Sequence, residues 1–107
     1  MKAIEKETQI VVEVERFDPE NLGPVQRLLN KADTSIVETI YLGRHDPKLA
    51  FCRLMLETGE NKRSSSLVLK EDDLVVLDES NKDHYLFKFV TEEEFKEQFD
   101  VIDRVSQ

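Results

Sequence analysis

Ala50-Phe51-Cys52-Arg53-Leu54-Met55-Leu56-Glu57-Thr58-Gly59-Glu60-Asn61-Lys62-Arg63-Ser64-Ser65-Ser66-Leu67-Val68-Leu69 reads as a strand, a turn and a second strand. In its first part Ala50, Cys52, Leu54 and Leu56 share one face of an extended chain, and Phe51, Arg53, Met55 and Glu57 share the other. Alternation of period two marks a strand, because successive side chains leave a pleated backbone on opposite sides. Both faces tolerate apolar residues, so Ala50–Glu57 is predicted to be a central strand. Thr58-Gly59-Glu60-Asn61 supplies turn chemistry, and Ser64–Leu69 returns as the hairpin partner.

Working outward, Gln9–Glu15 places Ile10, Val12 and Val14 on one side, and Ser35–Leu42 alternates similarly. Leu74–Leu77 and His84–Val90 form a second hairpin around residues 78–83, with Tyr85, Phe87 and Phe89 on one face. That face is expected to be core, with Phe95 and Phe99 packed beside it. Asp18 as N-cap and Pro19 at the first helical position signal a helix, with Phe17 and Leu22 placed for a hydrophobic staple; Gly23-Pro24 interrupts it, so a short opening turn and a helix restarting at Pro24 with Val25, Leu28 and Leu29 inward are expected. Thr91 and Glu94 match a capping box, Val90 can staple onto Phe95, and Phe95 with Phe99 make an i,i+4 pair. A short Val101-Ile102 strand closes the series. The fold class is α+β: a small curved antiparallel sheet or half-barrel of about five to six strands with two short helices, since consecutive short strands with tight turns favour antiparallel pairing.

The length of 107 residues predicts one domain, 1–107, able to build its own core. One cysteine, Cys52, cannot form an internal disulfide, and neither a membrane-length apolar run nor a leader-like segment is present. Cytoplasmic localisation is the expectation. Charge is uneven: residues 1–70 hold 11 acids and 11 bases, whereas residues 71–107 hold 12 acids and 4 bases. A one-sided acidic field repels nucleic acid and anionic membrane and attracts basic protein surfaces. With no basic stripe bearing aromatic platforms, direct nucleic-acid binding is not expected.

Catalytic chemistry finds little support. His45-Asp46-Pro47 pairs a base with a carboxylate, but adjacent side chains rarely face each other and Asp-Pro is ordinary turn initiation. Cys52 shares a strand face with Leu54 and Leu56, which suits a small buried hydrophobe better than a nucleophile. His45, His84 and Cys52 make no zinc spacing, and the runs Glu71-Asp72-Asp73 and Glu92-Glu93-Glu94 lack the calcium-loop pattern. No catalytic residue, metal or cofactor is therefore assigned. The leading expectation is a non-enzymatic interaction protein whose acidic surface, Asp72, Asp73, Asp78, Glu79, Asp83, Glu92 and Glu93, meets a basic partner. The alternative is a nucleotide-type anion held by Lys62, Arg63, Ser64 and Ser65 beside the hairpin turn. Self-association through a sheet edge is compatible with this layout.

Both ends of the chain resemble a group of small uncharacterised tailed-phage and prophage accessory proteins. The likeness lies in Met1-Lys2, Lys6, Gln9-Ile10-Val11-Val12-Glu13-Val14 and Phe17-Asp18-Pro19-Glu20-Asn21, and later in Glu71-Asp72-Asp73-Leu74-Val75-Val76 and the helix from Glu94-Phe95 to Phe99. The chain departs from the group in lacking its Trp and its Gly-Asp, and in having Val90-Thr91 where Lys-Pro is common. The resemblance implies a phage-encoded protein without a cofactor that binds and disables a host factor of defence, replication or transcription in the host cytoplasm. It supplies no active-site residues.

Overall fold

In the computed structural model, residues 1–42, 51–81 and 85–102 are described. The order of elements is β1 (Lys2–Glu5), β2 (Val11–Arg16), α1 (Gly23–Asn30), β3 (Thr34–Leu42), β4 (Phe51–Thr58), β5 (Arg63–Lys70), β6 (Leu74–Asp78), β7 (Leu86–Val90), α2 (Glu92–Gln98) and β8 (Phe99–Val101). The class is α+β, and the strands form two antiparallel sheets: five strands ordered β7-β6-β2-β1-β8, and three ordered β3-β4-β5. The described residues hold eight strands divided between two sheets, and β1 is the strand that the alternation does not mark.

The central hairpin forms as read from Phe51 onward, Ala50 lying outside the described residues. Cys52, Leu54 and Leu56 point inward from β4, and all eight residues of β4 pair with β5. Gly59 occupies φ +75° at the hairpin turn, a region that L side chains rarely adopt, and its N–H donates to Asp33 O at 2.9 Å. The inner face of β4 and Leu69 of β5 packs against Val75 and Leu77 of β6. Val25, Leu28 and Leu29 of α1 and Phe17 complete this inter-sheet core. Leu22 packs against the same cluster but is itself the N-cap of α1, so the expected staple and the Asp18 helix cap are corrected: Asp18 accepts Glu20 N–H in a turn ahead of the helix, and Pro24 stands in the first turn of α1.

A second core lies on the opposite face of the five-stranded sheet. Val12 and Val14 of β2, Leu74 and Val76 of β6, Val90, Phe95 and Phe99 gather there with Ala3 of β1. The α2 capping box is present in both directions: Glu94 N–H donates to Thr91 Oγ1 at 3.1 Å, and Thr91 N–H donates to Glu94 Oε1 at 2.9 Å. Phe95 and Phe99 stack with centroids 5.2 Å apart. The expectation that Tyr85, Phe87 and Phe89 would pack beside Phe95 and Phe99 is corrected. Phe87 and Phe89 lie across from Leu77 and Val75, so they face the inter-sheet core while the phenylalanines of α2 and β8 sit behind the sheet. Tyr85 and Phe87 are half-buried and Phe89 is exposed at 42 %.

Candidate functional site

Among the sequence-predicted acids, the structure brings one group together. The turn joining β5 to β6 is fixed by the backbone of Phe17, whose N–H donates to Asp73 O at 2.7 Å and whose carbonyl accepts from Asp72 N–H at 3.2 Å. Asp72 takes φ +76°, which Asp tolerates better than most residues. This clasp sets the turn beside the first turn of α2. A groove of about 510 Å³ results, lined by Glu71, Asp72, Asp73, Glu92 and Glu93, with Lys70 and Lys96 at its sides.

The carboxylates in this groove differ. Arg16 Nη1 stands 3.4 Å from both Asp72 Oδ1 and Glu92 Oε2, cross-linking the turn to the helix. Lys96 Nζ lies 3.5 Å from Glu92 Oε1 one helical turn on. Such exposed pairs contribute only about 0.2–1 kcal/mol each, but they orient the side chains they hold. Asp73 is corrected from surface acid to structural residue. It is 8 % exposed, and its Oδ2 accepts Lys70 N–H at 3.0 Å, closing the turn from within. Glu71 and Glu93 have no ion pair among the described residues and are the carboxylates left for an incoming cation.

Asp78 and Glu79 lie at the other end of β6. Asp78 lies five residue steps along the strand from Asp73, roughly 17 Å, which exceeds the Debye length of about 8 Å at physiological salt. Among the described residues the predicted acidic surface is therefore two electrostatically separate places. Asp78 accepts Ser80 N–H at 2.8 Å, and hydrogen bonds from Ser80 hold its carboxyl below the usual carboxylate range. Asp83, His45-Asp46-Pro47 and His84 fall outside the described residues.

A second groove, of about 350 Å³, opens on the part of the five-stranded sheet that α2 leaves uncovered. Its floor includes Val12 and Val76, its walls Leu86 and Phe99, and its rim Glu5, Asp78 and Lys88. Lys88 Nζ reaches Glu5 Oε2 at 3.4 Å and lies 5.6 Å from the centre of the Phe99 ring. The Thr8 hydroxyl donates to Glu5 Oε1 at 2.6 Å, and with Lys88 it holds the Glu5 carboxyl down.

The residues of the anion alternative are not enclosed. Lys62 sits at φ +50° in the exposed β4–β5 turn, and Arg63, Ser64 and Ser65 are exposed at the start of edge strand β5. None of them lines either groove. Cys52 is 2 % exposed and burial pushes its thiol pKa up, which disfavours the nucleophilic thiolate. Among the described residues no group of three or more His, Cys, Asp or Glu side chains is arranged to hold a metal ion. No described helix is long and apolar enough to cross a membrane.

Sequence reading missed Arg16 as the cross-link, since its acidic partners lie 56 and 76 positions away. Lys96 was findable from its i,i+4 spacing to Glu92. No protein family description matches the chain, and neither a curated protein nor a solved structure shows significant similarity to it.

Proposed function

We propose that this chain is a non-enzymatic binding protein that presents the groove between the β5–β6 turn and α2 to a basic segment of a protein partner. One observation carries the reading: carboxylates from two separate segments converge on one recess, and Glu71 and Glu93 there form no ion pair among the described residues. A lysine or arginine at 4 Å from one such carboxylate gains about 1 kcal/mol in bulk water and about 4 kcal/mol at the lower effective dielectric near a protein surface. Arg16 adds pre-organisation, because the groove's two sides are joined before a partner arrives. The resemblance to phage accessory proteins supplies a biological setting for this reading, the inhibition of a host factor in the host cytoplasm.

The test is capture of a partner from host lysate by the wild type and by Glu71→Gln with Glu93→Gln, which spares the structural Asp73 and the capping Glu94. The expected result is a protein captured at near-stoichiometric yield, with an affinity that falls as salt rises and is weakened by the double change. Charge attraction acts mainly on association rate, so the variant's loss should lie there. A partner held by the double variant with wild-type affinity and salt slope overturns the groove as the binding site. A small anion released on denaturation, with no protein captured, overturns the reading itself.

A further inference from the structure

The two sheets end in four edge strands, β7 and β8 in one and β3 and β5 in the other. An edge strand offers unpaired backbone donors and acceptors, and proteins usually blunt it with brevity, charge or covering structure. β8 has three residues with Asp100 at its centre, and β7 has five with Lys88 at its centre. β5 carries Arg63 and Lys70 at its ends with serines 64–66 between them. β3 differs: it runs nine residues and includes Ile36, Val37, Ile40, Tyr41 and Leu42, with Glu38 as its one charge. Its beginning is covered, since Gln26 Oε1 of α1 accepts the Ile36 N–H at 3.0 Å, and a register shift follows between Ile36 and Glu38. For Glu38–Leu42 no backbone hydrogen bond other than to β4 occurs among the described residues.

The surface beside this edge is apolar. On the outer face Leu42 lies across from Phe51, and Ile40 lies across from Arg53, which in turn faces Val68. Ile40, Leu42, Phe51 and Val68 are exposed at 37, 39, 41 and 39 %. Charge selects the occupant. The molecule carries −8 overall, yet β3, β4 and β5 together hold Glu38 and Glu57 against Arg53, Arg63 and Lys70. Two copies repel each other through their acidic regions and not through this sheet. Antiparallel pairing of the segment around Thr39, with the two-fold axis at that residue and the covered Ile36 outside the paired stretch, sets Glu38 opposite Ile40 of the other copy. The other copy's Arg53 is then one strand further, about 10 Å between backbones, a span that the two side chains can bridge.

We propose that the protein forms a two-fold dimer by antiparallel pairing of β3 with β3 of a second copy, joining two three-stranded sheets into one of six strands. The interface is isologous, so Glu38 and Arg53 are used twice. Sedimentation velocity over a concentration series tests it, with a species of about twice 12.5 kDa expected for the wild type. Ile40→Lys should give the monomer with an unchanged far-UV circular dichroism spectrum. Glu38→Arg should weaken the dimer, and Glu38→Arg combined with Arg53→Glu should restore it. Val101→Lys, on the edge of the other sheet, should leave it intact. A wild type that stays monomeric at its highest soluble concentration overturns the proposal, as does a dimer that persists in Ile40→Lys or is lost only in Val101→Lys. Failure of the charge exchange to restore association overturns the pairing register.

Discussion

The outer face of the three-stranded sheet leaves Ile40, Leu42, Phe51 and Val68 exposed around Arg53, whereas the five-stranded sheet covers its outward apolar face with α2 and rims the uncovered part with charge. The contrast is already present in single strands. β6 reads Leu-Val-Val-Leu-Asp and buries its first four residues, because Val75 and Leu77 enter the inter-sheet core while Leu74 and Val76 enter the core beneath α2. β4 buries Cys52, Leu54 and Leu56 on one side and exposes Phe51 and Arg53 on the other. A continuous apolar run thus marks a strand buried on both faces, and alternation marks one with a solvent side. The apolar residues on that side of β4 are what call for a partner.

The largest expected effects come from emptying each core. Phe17 is 1 % exposed and joins both sheets, so Phe17→Ala should cost about 3–5 kcal/mol and lower hydrogen-exchange protection in both. Phe95, at 7 %, belongs to the second core only. Phe95→Ala should fall near the lower end of the same range, about 3 kcal/mol, and its loss of protection should appear first in α2 and β8. Equal loss of protection in β4 and β8 for Phe95→Ala would dissolve the distinction between the two cores. Unchanged stability would show that α2 is not docked.

The parts of this structure that were legible in sequence rest on local chemistry. The capping box at Thr91 and Glu94, the Phe95–Phe99 stack and the Gly59 turn each depend on residues a few positions apart. The β4–β5 hairpin was readable for the same reason. β1 was missed because Lys2–Glu5 offers only Ala3 and Ile4 as apolar residues. It is a strand because Ala3 pairs with Val12 on one side and Val101 on the other, an environment made by distant segments. The side of the sheet on which Tyr85, Phe87 and Phe89 lie was equally invisible: alternation says that residues share a face, not which layer covers it. In the candidate site the acids themselves were legible as charge runs. That Asp73 turns inward to Lys70 N–H, and that Arg16 joins Asp72 to Glu92, are consequences of register.

A smaller effect sharpens the role of α2 as a cover, one that the outer face of the three-stranded sheet does not have among the described residues. Thr91→Ala removes the oxygen that accepts from Glu94 N–H and should cost about 1 kcal/mol, read by urea denaturation. Because the cap lies on the five-stranded sheet's side, exchange protection in β3–β5 should hardly change. Thr91→Ser keeps an acceptor and should recover most of the loss. A serine variant as unstable as the alanine variant would assign the effect to the threonine methyl group and not to the cap.

The smallest expected effect concerns the tie between α1 and the five-stranded sheet. Lys31, just past the helix, places Nζ 2.7 Å from Glu13 Oε1 of β2. The hydrogen bond from Lys31 holds the Glu13 carboxyl below its ordinary value of 4.5, and the same bond holds the Lys31 ammonium above 10.5. A carboxyl with a depressed folded pKa stabilises above its unfolded value and loses that contribution as pH falls through the depressed one. A lysine with a raised folded pKa stabilises fully below its unfolded value and loses the contribution as pH rises through the raised one. The pair therefore contributes across the whole neutral plateau and fades at both ends. Its partners are substantially exposed, so solvent screening limits it to about 0.2–1 kcal/mol. Lys31→Met should lower stability by that amount at neutral pH and low salt. The difference from wild type should vanish well below pH 4.5, where Glu13 is protonated, and shrink near 1 M salt, where the Debye length is about 3 Å. A difference that persists in acid would mean that the charge of Lys31 is not what matters at this position.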